Sequence, residues 1–205
     1  MTISQMYDFV VWLKNQGQGG YHSPEEIVRA FNSAAEDKFN EEVKQFEATE
    51  TISSNLRNFK QKATVTLTAG SGSLPADYKY ATNAATTTDK RIEIVPEAEW
   101  IDRINDPIDA PDADNPICAI RNAIEVRPTS LASMHLYYLK NPVTMTISYT
   151  EDGDGNVTVT GGTDCDLPSV VHTDIVRRAC VYLGIPLNDE GLVRLETLKK
   201  QTENA

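Results

Sequence analysis

The sequence predicts an α+β fold with an N-terminal helical layer, a central and mostly antiparallel β-sheet region, and two C-terminal helices. Three observations predict it. Apolar residues recur with helical spacing over the first sixty positions and again after Pro168. Between these stretches apolar residues alternate with threonines, which is the period of a half-buried strand. Glycine, asparagine and aspartate separate several alternating runs, and these residues favour chain reversals between neighbouring strands.

We expect one compact domain built from three parts. Residues 1–62 form an N-terminal helical part, residues 63–165 a β-rich part with loop insertions, and residues 166–205 a C-terminal helical part that packs with the N-terminal helices. The chain has 205 residues, of which 40% are apolar, and this is enough to bury a sizeable core.

Two capping boxes predict the starts of the first two helices. Thr2 and Gln5 have the required spacing, and Ser23 and Glu26 repeat it with Pro24 in the first turn. Glycines end the first helix after residue 16. The second helix is long, and its apolar face consists of Ile27, Ala30, Phe31, Ala34, Phe39, Val43 and Phe46. A third, short helix is expected around Ile52, Leu56 and Phe59.

The central part reads as strands with one helical turn. The predicted strands are residues 63–68, 91–95, 117–121, 123–126, 134–139, 145–149 and 157–160. Residues 97–104 predict a helical turn. The small, polar stretch 82–88 predicts a mobile loop, and residues 152–156 predict a tight hairpin before the last strand.

The C-terminal part predicts two helices. Pro168 suits a first turn, and the first helix has the apolar face Val171, Ile175, Ala179 and Tyr182. Gly184 and Pro186 signal its end. Asn188 would cap the second helix, which has a leucine stripe and two terminal lysines: Leu192, Leu195, Leu198, Lys199 and Lys200. The stripe either packs on its own domain or docks on another subunit, and both alternatives stay open.

Composition excludes several classes of protein. The formal charge of −11 argues against general attraction to nucleic acid, and Lys60 and Lys62 predict only a solvated face. The longest apolar runs are too short to span a bilayer, so no membrane partner is expected. We expect a protein that is cytosolic or part of a particle assembled in the cytosol. Three cysteines at positions 118, 165 and 180 are odd in number and lack metal-ligand spacing, so ordinary buried or loop thiols are expected.

The acidic stretch 102–114 is the main candidate for binding. Its five aspartates are Asp102, Asp106, Asp109, Asp112 and Asp114. If the stretch folded back on itself its carboxylates could bind calcium; otherwise it is an exposed acidic loop. We select Asp102, Asp106 and Asp109, together with the leucine stripe and its two lysines, as the expected protein interface.

The sequence predicts no catalytic, cofactor-binding or metal-binding residue. His22, His135 and His172 have no serine or carboxylate in a recognised nucleophile setting, and His172 is expected to face a helix surface. Carboxylates are so common in this chain that pairs of them carry little information. We therefore expect a protein that is not an enzyme and holds no cofactor.

Five motifs occur in a recognisable order. They are Leu56-Arg57-Asn58-Phe59-Lys60, Leu74-Pro75-Ala76-Asp77-Tyr78, Ile124-Glu125-Val126-Arg127-Pro128, Tyr137-Tyr138-Leu139-Lys140-Asn141-Pro142 and Asp166-Leu167-Pro168. In this order and spacing the chain resembles the head-to-tail adaptor, or tail-tubular-protein-A-like, family of short-tailed bacteriophages, and especially the ring proteins of crAss-like phages. The resemblance spans most of the chain.

The resemblance implies a structural virion protein. It implies a homo-oligomeric ring, expected to be a dodecamer, that docks on the portal protein, extends the DNA channel and supports other tail and ring proteins. DNA would pass through without sequence-specific binding, and the protein would lie in the neck or tail of a virion assembled in the bacterial cytoplasm. Two alternatives of other classes remain, namely a non-viral protein-binding module and a metal-binding protein or enzyme that uses the acidic loop 102–114.

Overall fold

The computed structural model describes residues 1–16, 21–45, 55–153 and 156–185, and over these residues the chain has the predicted α+β class. The helices are α1 Ile3–Gln16, α2 Pro24–Lys44, α3 Glu97–Ile104 and α4 Ser169–Tyr182. The strands are β1 Lys60–Thr66, β2 Ser71–Gly72, β3 Tyr78–Thr86, β4 Arg91–Ile94, β5 Ile117–Ile120, β6 Ile124–Arg127, β7 Ser133–Lys140, β8 Thr146–Glu151 and β9 Val157–Thr163. The predicted second C-terminal helix, with its leucine stripe, lies outside the described residues.

The chain divides into two compact units. The helical unit contains residues 1–58 and 142–205, and the strand unit contains residues 59–141. The hairpin of β8 and β9 belongs to the helical unit, together with α1, α2 and α4. Of the predicted third helix, the described chain shows helical Asn55 and a short 3-10 turn at Arg57–Phe59, and the rest of that helix lies outside the described residues.

Both predicted capping boxes form in the helical unit. The Thr2 amide donates to Oε1 of Gln5 at 2.9 Å, and the Gln5 amide donates back to Oγ1 of Thr2 at 3.3 Å. Ser23 and Glu26 exchange the same two bonds at 3.0 and 3.2 Å. Each box satisfies two amide hydrogens that the first turn of a helix would leave without a partner.

The predicted apolar face of α4 is confirmed at three of its four positions. Val171, Ile175 and Ala179 are buried, but Tyr182 remains 49% exposed. Its hydroxyl group donates to the carboxylate of Asp37 on α2, so the ring lies at the solvent-facing edge of the helix pair. Tyr182 therefore belongs to the surface, and the prediction that it is core was wrong.

Helix α2 anchors the β8–β9 hairpin through side-chain hydrogen bonds. The Met145 amide donates to Oδ1 of Asn32 at 2.8 Å, and Nδ2 of Asn32 donates to the Met145 carbonyl at 3.0 Å. An amide side chain thus pairs with the backbone as a neighbouring strand would. Tyr149 adds a second link, because its hydroxyl group donates to Glu25 at 2.5 Å.

The strand unit is a seven-stranded sheet with the order β1-β7-β3-β4-β5-β6-β2. All neighbouring pairs are antiparallel except β4 and β5. The sheet curls until its two outer strands meet, because Thr68 and Ser71 exchange backbone hydrogen bonds at 2.8 and 3.0 Å across a two-residue turn. Its interior is a continuous apolar core that includes Val65, Met134 and Leu136.

Gly70 is required at that closing turn. Its φ is +80°, and a β-carbon there would lie 2.7 Å from the Val126 carbonyl oxygen. Its own carbonyl accepts a hydrogen bond from the Val126 amide at 2.7 Å. Only glycine combines the left-handed conformation with this close approach of two backbones.

The prediction of a loop at residues 82–88 was wrong. Strand β3 continues through Thr86, and Ala84, Ala85 and Thr86 are buried. Ala84 pairs with Leu136 on one side and Ile92 on the other, so its small side chain sits between two larger neighbours in the sheet. The actual turn is short, and Asp89 adopts the positive φ of 61° that such hairpins need.

Candidate interaction surfaces

The structure describes three of the eight predicted interface residues. Asp102 lies on α3, and Asp106 and Asp109 lie in the loop that follows it. We name residues 105–114 the Ile108 loop. The other five, Leu192, Leu195, Leu198, Lys199 and Lys200, lie outside the described residues.

The Ile108 loop is built from turns in which its own aspartates accept backbone hydrogen bonds. Oδ1 of Asp106 accepts hydrogen bonds from the amides of Ile108 and Asp109 at 2.8 and 3.1 Å. Asp112 does the same for Asp114 and for the next residue, both at 2.7 Å. Side chains that bond to backbone two and three residues ahead build compact turns, so the loop is ordered by local chemistry.

Salt bridges fasten both ends of the loop to the strand unit. Arg103 on α3 donates to Asp109 at 3.1 Å and to Glu93 on β4 at 2.7 Å. Lys90 donates to Asp114 at 2.5 Å. The Lys90 ammonium group holds the pKa of Asp114 below its ordinary value, while the two backbone amides lower the pKa of Asp106. The carboxylates therefore remain ionised at neutral pH while they organise the loop.

The tip of this loop presents apolar surface to solvent. Ile108 is 95% exposed, and Ile101 on α3 is 60% exposed. A single exposed isoleucine is common, but here a rigid, acid-rimmed loop displays one at its apex. The prediction from sequence selected the aspartates and missed the two isoleucines. For Ile108 the signal in the sequence was an apolar residue between Asp106-Pro107 and Pro111-Asp112.

The aspartates of the loop do not converge. Within the described ranges no group of three or more histidine, cysteine, aspartate or glutamate side chains could hold a metal ion. Asp106 and Asp112 direct oxygens at backbone amides, and Asp109 and Asp114 face cations. This arrangement favours the alternative of an exposed acidic loop.

A second surface lies on the outer side of β1 and β7, and we name it the basic strand face. Lys60, Lys62 and Thr64 lie on one face of β1 and are exposed; Gln61 between them is exposed as well, while Ala63 and Val65 pack in the core. The strand register places Tyr137 beside Lys62 and His135 beside Thr64. Nζ of Lys62 lies 5.3 Å from the centre of the Tyr137 ring, and Oγ1 of Thr64 lies 3.2 Å from Nδ1 of His135.

Sequence periodicity identified the two lysines as solvated but did not reveal this surface. Strands β1 and β7 are about seventy residues apart in the sequence, and only their pairing brings Tyr137 and His135 beside Lys62 and Thr64. Neither strand contains an aspartate or glutamate. A local region free of acidic residues therefore exists in a chain whose formal charge is −11.

Two of the motifs that carry the resemblance meet at one end of the strand unit. The Tyr138 hydroxyl group donates to Oδ1 of Asp77 at 2.8 Å, and the Asn141 amide donates to the Asp77 carbonyl at 2.7 Å. Nδ2 of Asn141 donates to the Tyr78 carbonyl at 3.2 Å. Burial, and next the Asp77 hydrogen bond, raise the pKa of Tyr138 to about 12. These motif residues therefore tie β3 to β7.

His172 does not face a helix surface, which corrects the sequence-based expectation. It is 5% exposed, its Nε2 lies 2.7 Å from the Leu167 carbonyl oxygen, and its Nδ1 lies 2.9 Å from the N-terminal amine. Burial lowers the pKa of the ring. A neutral imidazole that donates through Nε2 and accepts through Nδ1 satisfies both contacts, so His172 fixes the start of α4 and the N-terminus.

The three cysteines are free thiols, two of them buried and Cys165 half-buried. Burial raises the pKa of Cys118 and Cys180 to about 12 and that of Cys165 to about 11. Thiols of this kind are poor nucleophiles at neutral pH.

A further exposed surface, in the described part of the helical unit, lies at the end of α4. Val181 is 63% exposed beside Tyr182, and shallow grooves there are lined by charged side chains of α2 and α4. Arg178 pairs with both carboxylate oxygens of Glu41 at 2.8 and 2.5 Å. Arg178 at one of these grooves therefore already bonds to an acidic side chain of α2.

Comparisons with known proteins found no match for this chain, either among models of protein families or among curated proteins. No helix in the described residues is long and apolar enough to cross a membrane.

Proposed function

We propose that this protein is a structural virion component, a ring-forming head-to-tail connector that docks on a portal, extends the DNA channel and supports tail assembly. The observation that carries the proposal is the ordered set of motifs, two of which meet around Asp77, Tyr138 and Asn141. Two motifs that are far apart in the sequence contact each other in the structure. This supports reading the ordered motifs as parts of one architecture and not as a chance series of turns.

The surfaces of the molecule support an assembly role rather than catalysis. The exposed features of the strand unit are a loop with an apolar tip and a basic strand face, and both suit contact with a macromolecule. Among the described residues the buried histidine contacts a carbonyl oxygen and the N-terminal amine, not a nucleophile. A catalytic site would need a nucleophile, a base and an anion-stabilising group held together.

Charge distribution also supports passage of DNA through a ring. The strand unit has nine lysines and arginines against eleven aspartates and glutamates, a balance of −2, which leaves ten against nineteen, or −9, for the helical unit. An acidic lumen would repel the phosphate backbone and let the genome slide. We therefore propose that acidic loops or helix faces line the lumen; a basic lumen in an assembled ring would contradict this.

The test is electron microscopy and native mass measurement of the purified chain, alone and mixed with the portal ring encoded in the same genome. The proposal predicts a ring of copies seated coaxially on the portal. The same portal mixed with an unrelated acidic protein of similar mass provides the control for nonspecific adherence. Failure of the full chain to associate with the portal or with any tail protein of that genome would overturn the proposal.

A further inference from the structure

Opposite charges are separated on the strand unit. Residues 97–116, which include α3 and the Ile108 loop, contain seven aspartates and glutamates and a single arginine. Of the three lysines in β1 and β7, Lys60 and Lys62 lie on one face, and neither strand contains an acidic residue. One unit therefore carries an acidic surface with an apolar tip and a basic surface with an aromatic ring.

The two surfaces occupy different places on the sheet. The basic strand face lies on β1 and β7, at one end of the strand order, and the Ile108 loop connects β4 to β5. Strand β3 separates the two pairs. A contact between these surfaces of two copies would therefore be heterologous, because each copy would use one patch to bind and a different patch to be bound.

The chemistry of the surfaces is complementary. The Tyr137 ring and the aliphatic stem of Lys62 offer apolar area to Ile108, while the positive charge of the strand face meets the net charge of −6 that seven carboxylates and one arginine give residues 97–116. The loop is already ordered by Asp106 and Arg103, so binding would not need to order it. Charge complementarity of this kind directs association and fixes register.

We propose that the Ile108 loop of one copy binds the basic strand face of the next copy. The inference rests on the proposed ring-forming function and names the contact that joins neighbouring subunits. Heterologous contacts close into a ring when the rotation between copies divides a full turn, and otherwise they form an open filament. The same contact keeps the basic strand face covered by protein and away from the DNA channel.

Two variants that each disable one surface test the contact. Lys60→Glu with Lys62→Glu reverses the charge of the strand face and leaves the loop intact, while Ile108→Lys replaces the apolar tip with a charge that the strand face repels and leaves that face intact. All three side chains are exposed, so circular dichroism and thermal unfolding should match the wild type. A Val181→Asp variant, which changes an exposed residue of the helical unit, serves as the matched control.

Light scattering coupled to size exclusion gives the outcome. Each disabled variant alone should be monomeric under conditions in which wild-type protein and the control assemble. An equimolar mixture of the two should form dimers and stop there, because only one functional loop and one functional strand face remain to pair. A mixture that stays monomeric, or a variant that assembles like the wild type, would overturn the inference.

The same variants separate this inference from the proposed function. If both variants still form rings on the portal, the connector stands and this contact is wrong. If the wild type forms no assembly alone or with the portal, both fail. If the lysine variant assembles normally but loses retention of duplex DNA that the wild type shows, the strand face binds nucleic acid and the proposed contact between copies is overturned.

Discussion

The helical unit and the strand unit use their charged side chains differently. In the helical unit acidic side chains bond within the unit, as Glu41 does with Arg178 and Asp37 with Tyr182. In the strand unit Lys60 and Lys62 share one exposed face, while acidic residues gather on α3 and the Ile108 loop. Ion pairs bond charged side chains in the strand unit as well, as Arg103 does with Glu93 and Asp109, so net charge alone does not locate a binding surface.

Hydrogen bonds and ion pairs shift pKa values in the helical unit, as Lys90 does for Asp114 in the strand unit. The hydrogen bond between Glu25 and Tyr149 lowers the pKa of the carboxyl group and raises that of the phenol to about 12. The bond from Arg178 likewise lowers the pKa of Glu41. These links persist at neutral pH because both partners keep the protonation states that the hydrogen bonds require.

The largest expected effects come from emptying the core of each unit separately. Phe31→Ala in the helical unit should lower the free energy of unfolding by about 3–5 kcal/mol, and Leu136→Ala in the strand unit by about 2–5 kcal/mol, because both side chains are fully buried. The chain has two tryptophans, Trp12 in the helical unit and Trp100 in the strand unit. Fluorescence of Trp12→Phe and Trp100→Phe backgrounds would therefore follow one unit at a time during urea unfolding.

If each unit has its own cooperative core, Phe31→Ala shifts mainly the Trp12 transition and Leu136→Ala mainly the Trp100 transition. Val181→Ala, at an exposed position, should leave both nearly unchanged. Equal shifts of both tryptophan signals in both core variants would show that the units unfold as one and would remove the distinction between them.

Gly70→Ala should destabilise the strand unit by about 1–3 kcal/mol, since alanine would have to adopt a positive φ and its β-carbon would meet the Val126 carbonyl oxygen. Gly153→Ala, in the helical unit, is the matched control because a β-carbon there has no neighbour within 4 Å. Urea unfolding of both variants measures the effect. Equal stability of the two variants would mean that the sheet does not close through Gly70.

The pH dependence of stability should show how much His172 contributes to the helical unit. Because folding lowers the pKa of His172, its contribution is fully present above the ordinary value of 6.5 and is lost as the pH falls below it. His172→Gln, whose amide can still donate to the Leu167 carbonyl, should reduce this loss. Urea unfolding between about pH 7.5 and 5 measures it. A variant with the same pH dependence as the wild type would exclude His172 as the titrating group.

The smallest expected effects on stability come from single charged residues. They distinguish a residue that forms an ion pair within the fold from one that is proposed to contact another copy. Arg178→Gln should lower stability by about 0.3–1 kcal/mol, because it breaks a two-pronged but partly exposed pair with Glu41. Lys62→Gln should leave the free energy of unfolding unchanged and weaken self-association. Thermal unfolding and light scattering on both variants measure the two quantities. If Lys62→Gln lowered the stability and left self-association unchanged, Lys62 would serve the fold and not the assembly.

Much of the fold could be predicted from local sequence signals. Capping boxes at Thr2 and Ser23, the helical turn at 97–104 and most strands were all encoded within a few residues of where they occur. The failures share a cause. Ala84 was assigned to a loop because small polar neighbours suggest one, yet its strand conformation depends on Leu136 and Ile92 from distant strands.

The surfaces were harder to predict than the fold for the same reason. Lys62 acquires Tyr137 as a neighbour only through the β1–β7 register, and the buried position of His172 depends on the N-terminus reaching the start of α4. The acidic residues led to the prediction of an interface in residues 102–114, but composition does not say which of those side chains are exposed. Ile108 is exposed because of the turn that Asp106 builds, and the sequence pattern alone does not predict that exposure.

The most direct test of the central claim is cross-linking between two singly labelled forms of the chain, Lys62→Cys and Ile108→Cys, each in a Cys165→Ser background that removes the half-buried thiol. A short bismaleimide should join one Lys62→Cys copy to one Ile108→Cys copy in the mixture, and neither form should cross-link to itself. Cross-links within either form alone, or none in a mixture that assembles, would show that the subunits of this protein meet through other surfaces.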